Sequence, residues 1–181
     1  TNANAAVQVS LASGADIVTL NVDGVTANGN TTASGRGFYL DVNGAGSTLT
    51  TATLNDITTA SNGANGTYVN VQTDGQLSTL NASDISSNLD DSRGIYFLAQ
   101  LGGDIGTILA DGMSATNIAG AAGRGMEIIA NGVGSTINSA TIENSTFNNN
   151  LNLGLLYQAI TSGVITTSVV RNTTASNNTG L

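Results

Sequence analysis

Short runs of alternating apolar and polar residues recur along the chain, and each run begins just after a glycine. Phe38, Leu40 and Val42 form one such run. Alternation with a period of two is the pattern of a half-buried β-strand. The glycines stand 28 to 31 residues apart, so the same strand is predicted about every 29 residues. They are Gly37, Gly66, Gly94, Gly125 and Gly154.

A second apolar pair, with its members five residues apart, follows each alternating run. Leu49 and Leu54 form this pair in one repeat, and we align Leu80 and Ile85 with them in the next. A third apolar position, such as Leu89, trails each pair in a stretch rich in Asn, Thr and Ser. Each repeat therefore predicts three short strands. No stretch sustains the apolar stripe of a helix, so helices are not expected.

The repeat decides the architecture, because one unit of this size cannot bury a core alone. Segments 36–57 and 124–145 match in their glycine, small polar and apolar positions, as two coils of one solenoid would. Coils stacked about 4.8 Å apart cover each other's apolar residues. We predict an all-β, single-stranded parallel β-helix of about six coils of roughly 29 residues, with three short strands per coil. It forms one domain over 1–181 and is expected to continue into a longer repeat array.

Two polar columns are expected beside the apolar ones. The turns rich in asparagine should stack, because asparagine tolerates a left-handed backbone and its amides form ladders. One threonine stands directly before the second strand in four coils, so we expect a threonine ladder at one edge. These residues are Thr48, Thr79, Thr107 and Thr136.

The coil-start glycine, the three inward apolar groups and turns such as NSTFNNN at 144–150 resemble the right-handed parallel β-helix family, the pectate-lyase-like solenoids. The resemblance covers essentially the whole chain and implies a right-handed coil. It is a poor guide to function, because this solenoid carries lyases, epimerases, phage tailspikes and inert surface stalks alike.

The amino-acid composition limits which partners and which cellular location are expected. The net charge is −8 and all four basic residues are arginines, so neither nucleic acid nor an anionic membrane is expected as a partner. No apolar run approaches the roughly 20 residues that span a bilayer. Without cysteine, a disulfide scaffold is excluded. An acidic chain lacking Cys and Lys resembles the repeat regions of bacterial extracellular and cell-surface proteins, and we expect a secreted or cell-surface location.

The outward side of the first strand is the candidate binding face, because enzymes of the resembled family hold their substrate there. Tyr39, Tyr68 and Tyr96 align at the repeat, with Asp41 and Asn70 as polar neighbours. Aromatic rings offer sugars an apolar platform with a polar edge, which predicts carbohydrate binding. The alternative is a cross-strand aromatic ladder that only stabilises strand pairing.

The same face predicts a contact surface further along the solenoid. Leu98, Ile129 and Leu156 should form an outward apolar patch. Such patches contact another protomer, a flanking domain or a covering loop. Neither end of the chain reads as a polar cap, and uncovered solenoid ends accept a further strand. We therefore expect self-association or flanking repeats.

Catalytic and metal-binding residues are sparse. Asp41 and Glu127 are the carboxylates on the first-strand face, and three coils place them about 14 Å apart. Glycosidases need about 5 to 9.5 Å between their working carboxylates, so no catalytic residue is assigned and the chain is not expected to be an enzyme. Asp90 and Asp91 offer oxygen ligands for a calcium site. The alternative is a solvated turn that pairs with Arg93.

These observations leave hypotheses from different classes. In the first, the chain is a structural or adhesive solenoid segment of a secreted or cell-surface protein that assembles end to end into fibres. In the second, it is a carbohydrate-binding module that uses the tyrosine column for a polysaccharide. A third, a polysaccharide lyase or hydrolase, rests on the fold relatives alone. No cofactor is expected apart from the calcium ion considered above.

Overall fold

The computed structural model describes residues 4–180, which form strands and turns and contain no helix that could cross a membrane. The strands wind through about six coils with a spacing near 29 residues, and neighbouring coils pair in parallel. The predicted all-β parallel solenoid is confirmed. The first sheet holds the first strand of each coil, in the order β1 (Ala5–Ala12), β3 (Arg36–Asn43), β5 (Asn65–Gln72), β8 (Arg93–Gln100), β11 (Arg124–Asn131) and β14 (Leu155–Ile160).

The second sheet contains the remaining strands. β2 and β4 run for 13 residues each and cover two sides of their coils, whereas the next three coils divide the same path into a long and a short strand. Three strands per coil is therefore right for the middle coils only. The strands are β2 (Asp16–Asn28), β4 (Thr48–Ala60), β6 (Gln76–Ser83), β7 (Ser86–Asn88), β9 (Asp104–Asp111), β10 (Ser114–Thr116), β12 (Thr136–Glu143), β13 (Thr146–Asn148) and β15 (Val164–Arg171).

The glycine that starts each coil is required because neighbouring backbone and side chains leave no room for a larger residue. A Cβ atom on Gly94 would lie 2.7 Å from Cβ of Ala115 and 2.8 Å from the carbonyl oxygen of Gly125. Real Cβ atoms essentially never approach other heavy atoms this closely. The glycine period in the sequence therefore reports the close contact between successive coils.

Backbone pairing corrects the alignment of the second strands. Leu49 pairs with Leu77, and Leu54 pairs with Ala82. The predicted alignment of Leu49 and Leu54 with Leu80 and Ile85 is wrong by three residues. The error has a physical source, because the positions of Ala52 and Leu54 in one coil hold Leu80 and Ala82 in the next, so the bulky residue changes place.

This exchange of size fills the core evenly. Ala52 lies beside Leu80, while Leu54, two residues later, lies beside Ala82. The same inversion occurs between the fourth coil, with Ile108 and Ala110, and the fifth coil, with Ala140 and Ile142, whereas the third and fourth coils keep one order. Protein interiors pack as densely as organic crystals, so such compensation avoids both voids and overlap. The residues concerned are fully or almost fully buried.

The predicted threonine ladder has two wrong members for the same reason, since only Thr79 and Thr107 pair as expected. Thr48 pairs with Gln76, whereas Thr79 pairs with Thr51 and Thr107. The four predicted residues therefore belong to two columns rather than one. Thr136 lies in the column of Thr48, since both occupy the first position of their strands.

One left-handed residue per coil turns the chain from the second side to the third. Asp56 and Asp84 have φ angles of 49° and 52°. Their equivalents in the other coils are glycine or asparagine, and together with aspartate these types tolerate the left-handed region best. A single sequence position therefore makes the bend. The column comprises Gly24, Asp56, Asp84, Gly112, Asn144 and Asn172.

A second left-handed column follows the third side, and Ser61 and Leu89 are its members that are neither glycine nor asparagine. Leu89 has a φ of 58° and is 50% exposed, so its expected place in the core is wrong. Its neighbour Asn117 has a φ of 56° and donates its side-chain amide to Asn88 Oδ1 at 3.0 Å. A leucine in this conformation is strained, because its Cβ crowds the backbone.

Replacing Leu89 by asparagine is expected to raise the free energy of unfolding by about 1 kcal/mol, because asparagine adopts the left-handed region at lower cost. Thermal or urea unfolding measures the change. Leu151→Asn is the matched control, since Leu151 is 51% exposed and has no positive φ. The control should be neutral or destabilising, and an equal gain in both variants would contradict the assignment of strain to Leu89.

Candidate functional site

The predicted tyrosine column exists on the outward side of β3, β5, β8 and β11, which we call the first-sheet face. Tyr39 pairs with Tyr68, which pairs with Tyr96. Their ring centroids are 5.1 and 4.9 Å apart, and the ring planes differ by 14° and 7°. The parallel register thus sets the aromatic side chains face to face at the spacing of the strands.

The faces of these rings are covered by protein. The three tyrosines are only 6 to 8% exposed. The guanidinium of Arg36 lies 4.5 Å from the ring centre of Tyr39, and that of Arg93 lies 4.4 Å from the ring centre of Tyr96. Such cation–π contacts are attractive because the ring face is electron-rich. A sugar that stacked on these rings would have to displace an arginine or a neighbouring tyrosine.

Burial raises the pKa of all three tyrosine hydroxyls. Desolvation, followed by the nearby Asp41 carboxylate, raises the pKa of Tyr39 to about 12. Desolvation also raises the pKa of Tyr96 to about 12, and it moves the pKa of Tyr68 further above its usual range. None of the three is therefore suited to act as a base near neutral pH.

A hydrogen-bonded amide network lies beside the tyrosines. Asp41 Oδ1 accepts from Asn70 Nδ2 at 2.9 Å and from Gln72 Nε2 at 3.0 Å. Gln100 Nε2 donates to Asn70 Oδ1, also at 3.0 Å. Asp41 and Asn70, predicted to bind sugar, thus bond to each other within a network that spans three coils. Asp41 and Asn70 are both buried.

Glu127 occupies the next position of the tyrosine column and is held between two arginines. Its side chain is fully buried and forms ion pairs with Arg93 and Arg124. A buried carboxylate is costly unless it is paired and hydrogen-bonded, so the two guanidinium groups are what permit a charge here. Glu127 and Asp41 lie in different columns as well as different coils.

The exposed apolar patch expected at Leu98, Ile129 and Leu156 is not present in that form. Leu98 and Ile129 pair with each other but are 5 and 6% exposed, and they pack in one buried cluster with the tyrosines. Leu156 is half-buried and pairs with Glu127 instead. Leu156 therefore lies in the column of the tyrosines and Glu127, while Leu98 and Ile129 lie in the column beside it. A role for the three residues in contacting another molecule stays a prediction.

Asp90 lies inside the solenoid in a ladder of turn residues, and the expectation that it is solvated and pairs with Arg93 is wrong. Its Oδ1 accepts from the backbone N–H of Asn62 at 2.8 Å and from Asn62 Nδ2 at 2.9 Å. Its Oδ2 accepts from Ser87 Oγ at 2.5 Å. Asn30, Asn62, Asn150 and Asn178 occupy equivalent ladder positions, so Asp90 replaces an asparagine.

The two predicted calcium ligands, Asp90 and Asp91, lie in different surroundings. Asp90 is fully buried and bonded on both oxygens, whereas Asp91 is exposed. Across the described residues, no group of three or more Asp, Glu, His or Cys side chains converges as a metal site. Calcium binding by the pair stays a prediction.

Sequence reasoning overlooked the arginine contacts on the first-sheet face and the burial of Asp90. The arginine signal is visible in hindsight, since RGFY at 36–39 and RGIY at 93–96 place an arginine three residues before a tyrosine. The sequence gives no comparable indication that Asp90 is buried, because an acidic residue in a polar turn is normally expected to be exposed to solvent.

Neither a family model nor a curated protein nor a solved structure matches this chain. The parallel solenoid is therefore established by its own strand pairing.

A hollow of about 340 Å³ lies apart from the tyrosines, on the outward side of the second sheet, where Asn81, Leu109 and Thr141 line it.

Replacing Asp90 by asparagine is expected to flatten the pH dependence of stability. Burial raises the pKa of Asp90 above its ordinary 3.8, despite opposing hydrogen bonds from Ser87 and Asn62. The stability linked to this group is therefore complete below pH 3.8 and is lost as the pH rises through the folded-state pKa. Urea unfolding at several pH values should show the variant gaining on the wild type as the pH rises.

Asp91→Asn is the matched control for this measurement, because it removes one carboxylate from an exposed neighbour. It should follow the wild-type pH profile. A profile of Asp90→Asn parallel to the wild type would contradict the raised pKa. Repeating the unfolding with added calcium tests the predicted metal site, which requires a calcium-dependent gain in stability that both variants reduce.

Proposed function

We propose that this chain is a structural β-solenoid segment of a secreted or cell-surface protein, of the pectate-lyase-like right-handed type, and that it supplies rigid length without catalysis. One observation carries the proposal. The polar and aromatic side chains of the first-sheet face are bonded to one another along the stack instead of being directed at open space.

Side chains that bind a ligand need donors, acceptors or ring faces that the protein itself leaves free. On this face the tyrosine rings cover each other, the Asp41 carboxylate accepts from two amides, and Glu127 is held by two arginines. Offset aromatic pairs contribute about 0.5 to 1.5 kcal/mol each beyond the area that they bury. The face therefore adds a stabilising layer outside the core, which suits a rigid stalk.

The charge of the chain supports an extracellular structural role. With a net charge of −8, molecules that lie side by side repel one another and stay soluble. Neither a nucleic acid nor an anionic membrane fits such a surface. We also propose that the chain is not a polysaccharide lyase or hydrolase, because its two carboxylates on this face are in different columns and one is neutralised by arginines.

Tyr68→Ala tests the role of the tyrosine column. Removing the middle ring should lower the free energy of unfolding by about 2 to 4 kcal/mol, because it leaves a gap between two rings and beneath Arg36. Tyr68→Phe is the control, since it keeps the stacked ring, and it should remain close to the wild type. Chemical unfolding followed by circular dichroism measures both variants.

The same variants separate the structural role from the carbohydrate-binding alternative. The proposal expects no saturable change in tyrosine fluorescence when the wild-type chain is titrated with saccharides selected on a glycan array. A saturable change that folded Tyr68→Ala loses would replace the structural role by a carbohydrate-binding module. Turnover of a polysaccharide that depends on Asp41 or Arg93 would replace it by an enzyme.

A further inference from the structure

We propose that a groove along the turn after the third side binds an extended, proline-rich peptide of a partner protein. The peptide carries an apolar and a basic side chain three residues apart. We call this feature the third-corner groove. The inference goes beyond the proposed structural role, because it assigns a partner to the outside of the solenoid, and it does not depend on that role.

Two outward columns of residues form the walls of the third-corner groove. One wall is the second left-handed column, to which Leu89 and Asn149 belong. The other wall is the column two residues later in each coil, to which Asp91 and Leu151 belong. The residue between the walls, such as Asn150, is buried and forms the floor. The groove therefore follows the axis of the solenoid and crosses successive coils.

The groove deepens into two hollows that Leu89 separates. The smaller hollow, of about 160 Å³, lies beside Ser61 and Asp91. The larger hollow, of about 380 Å³, lies beside Ala119 and Leu151. Leu89 lines both of them. A ligand that fills both hollows must therefore pass over this leucine along the groove.

The larger hollow suits an apolar side chain. Leu89 and Leu151 are 50 and 51% exposed, and the fully buried Ile118 forms part of the lining. The short side chain of Ala119 leaves the space between the two leucines open. Removing exposed apolar surface from water is favourable, so an apolar group of the ligand is stabilised here.

The smaller hollow suits a basic side chain. Asp91 is exposed, and the ion pairs of the described residues do not include it. The net charge of −8 also attracts a basic partner. A long basic side chain can rest its apolar stem against Leu89 while its charged end meets the carboxylate. Charge complementarity therefore selects a partner that carries an arginine or a lysine at this point.

The distance between the hollows selects the conformation of the peptide. Ser61 belongs to the second coil and Ala119 to the fourth, so the hollows are about 9.6 Å apart at the strand spacing. A polyproline II helix has about three residues per turn and rises about 3.1 Å per residue, which gives about 9.3 Å for three residues. Residues i and i+3 of such a helix point to the same side, so both reach the groove.

The rim of the groove offers hydrogen bonds to a peptide backbone. The side chains of Asn149 and Asn177 line the larger hollow, and both residues are exposed. An amide side chain supplies donors as well as an acceptor. A polyproline II backbone makes no internal hydrogen bonds, so its carbonyl oxygens are free to accept. An uncharged polysaccharide also meets these amides but supplies no cation for Asp91, so the groove favours the peptide.

Two fluorescent peptides test the proposal on the full 181-residue chain. PPLPPRPP and PPRPPLPP place leucine and arginine three residues apart in either direction. At least one should bind saturably below about 1 mM in fluorescence anisotropy. Replacing its arginine by glutamate, or its leucine by serine, should weaken binding about tenfold. Moving the arginine one residue closer to the leucine should weaken binding about fivefold, because the two side chains then point to different sides.

Variants of the protein locate the binding site. Asp91→Asn should weaken binding about tenfold and remove most of its dependence on salt, because the ion pair is lost. Ala119→Phe should abolish binding, because the ring fills the larger hollow. Leu89→Asn should weaken binding about fivefold. Leu101→Asn is its matched control and should bind as the wild type, since Leu101 is also exposed and left-handed but lines neither hollow.

The absence of saturable binding of either peptide up to about 1 mM would overturn the proposal. So would binding that Asp91→Asn and Leu89→Asn leave unchanged, or binding that Leu101→Asn weakens equally. Uncharged oligosaccharides such as cellohexaose that bind and are lost in Ala119→Phe, while both peptides fail, would assign the groove to sugars instead. Circular dichroism confirms that each variant is folded, and the altered peptides test the same contacts without changing the protein.

Failure here is distinguishable from failure of the structural role. Tyr68 lines neither hollow, so folded Tyr68→Ala should bind the peptide as the wild type does. A lack of peptide binding would remove the partner and leave the structural segment. A saccharide response that depends on Tyr68 would remove the structural role whether or not the peptide binds.

Discussion

The parallel backbone pairing between coils is the constraint on which the rest of this structure depends. It holds successive coils about 4.8 Å apart and places each residue directly beside its equivalents. Every side chain must therefore tolerate its equivalents in the coils on either side. Apolar residues and flat aromatic rings do so readily, as the stack of Tyr39, Tyr68 and Tyr96 shows. Asparagines do so by bonding from coil to coil.

Burying a carboxylate in such a column is costly, and the two buried carboxylates Glu127 and Asp90 are stabilised in different ways. Glu127 follows Tyr96 in its column and receives two arginines, so its charge is balanced where it lies. Asp90 takes the place of an asparagine and receives hydrogen bonds but no cation in the contacts described. Desolvation therefore raises the pKa of Asp90, although its hydrogen bonds oppose the shift.

Stacking also affects function, because a face whose side chains bond to one another leaves few free donors, acceptors or ring faces for a ligand. In a solenoid the outward side chains of one sheet form long columns, and a column can either present its groups to solvent or satisfy them along the axis. The first-sheet face does the latter through its tyrosines, amides and ion pairs.

The sequence by itself determined the period, the coil-start glycines and the tyrosine column, because each depends on a residue type that recurs at one position of the coil. Gly94 has no space for a side chain, so its spacing could not drift without breaking the stack. The left-handed turns were also accessible in part, since Gly, Asn and Asp mark many of them, although Ser, Thr and Leu occupy others, as at Ser61, Thr73 and Leu89.

Only the tertiary structure decided the register of the second strands and the burial of the outward face. Ala52 and Leu80 share a column although one is small and one large, because Leu54 and Ala82 in the column beside them differ in size in the opposite sense. A pattern of apolar letters cannot reveal that compensation. Leu98, Ile129 and Asp90 were misjudged for a related reason, since their burial is created by neighbours that are about 28 to 31 residues away in sequence and adjacent only after the coils have stacked.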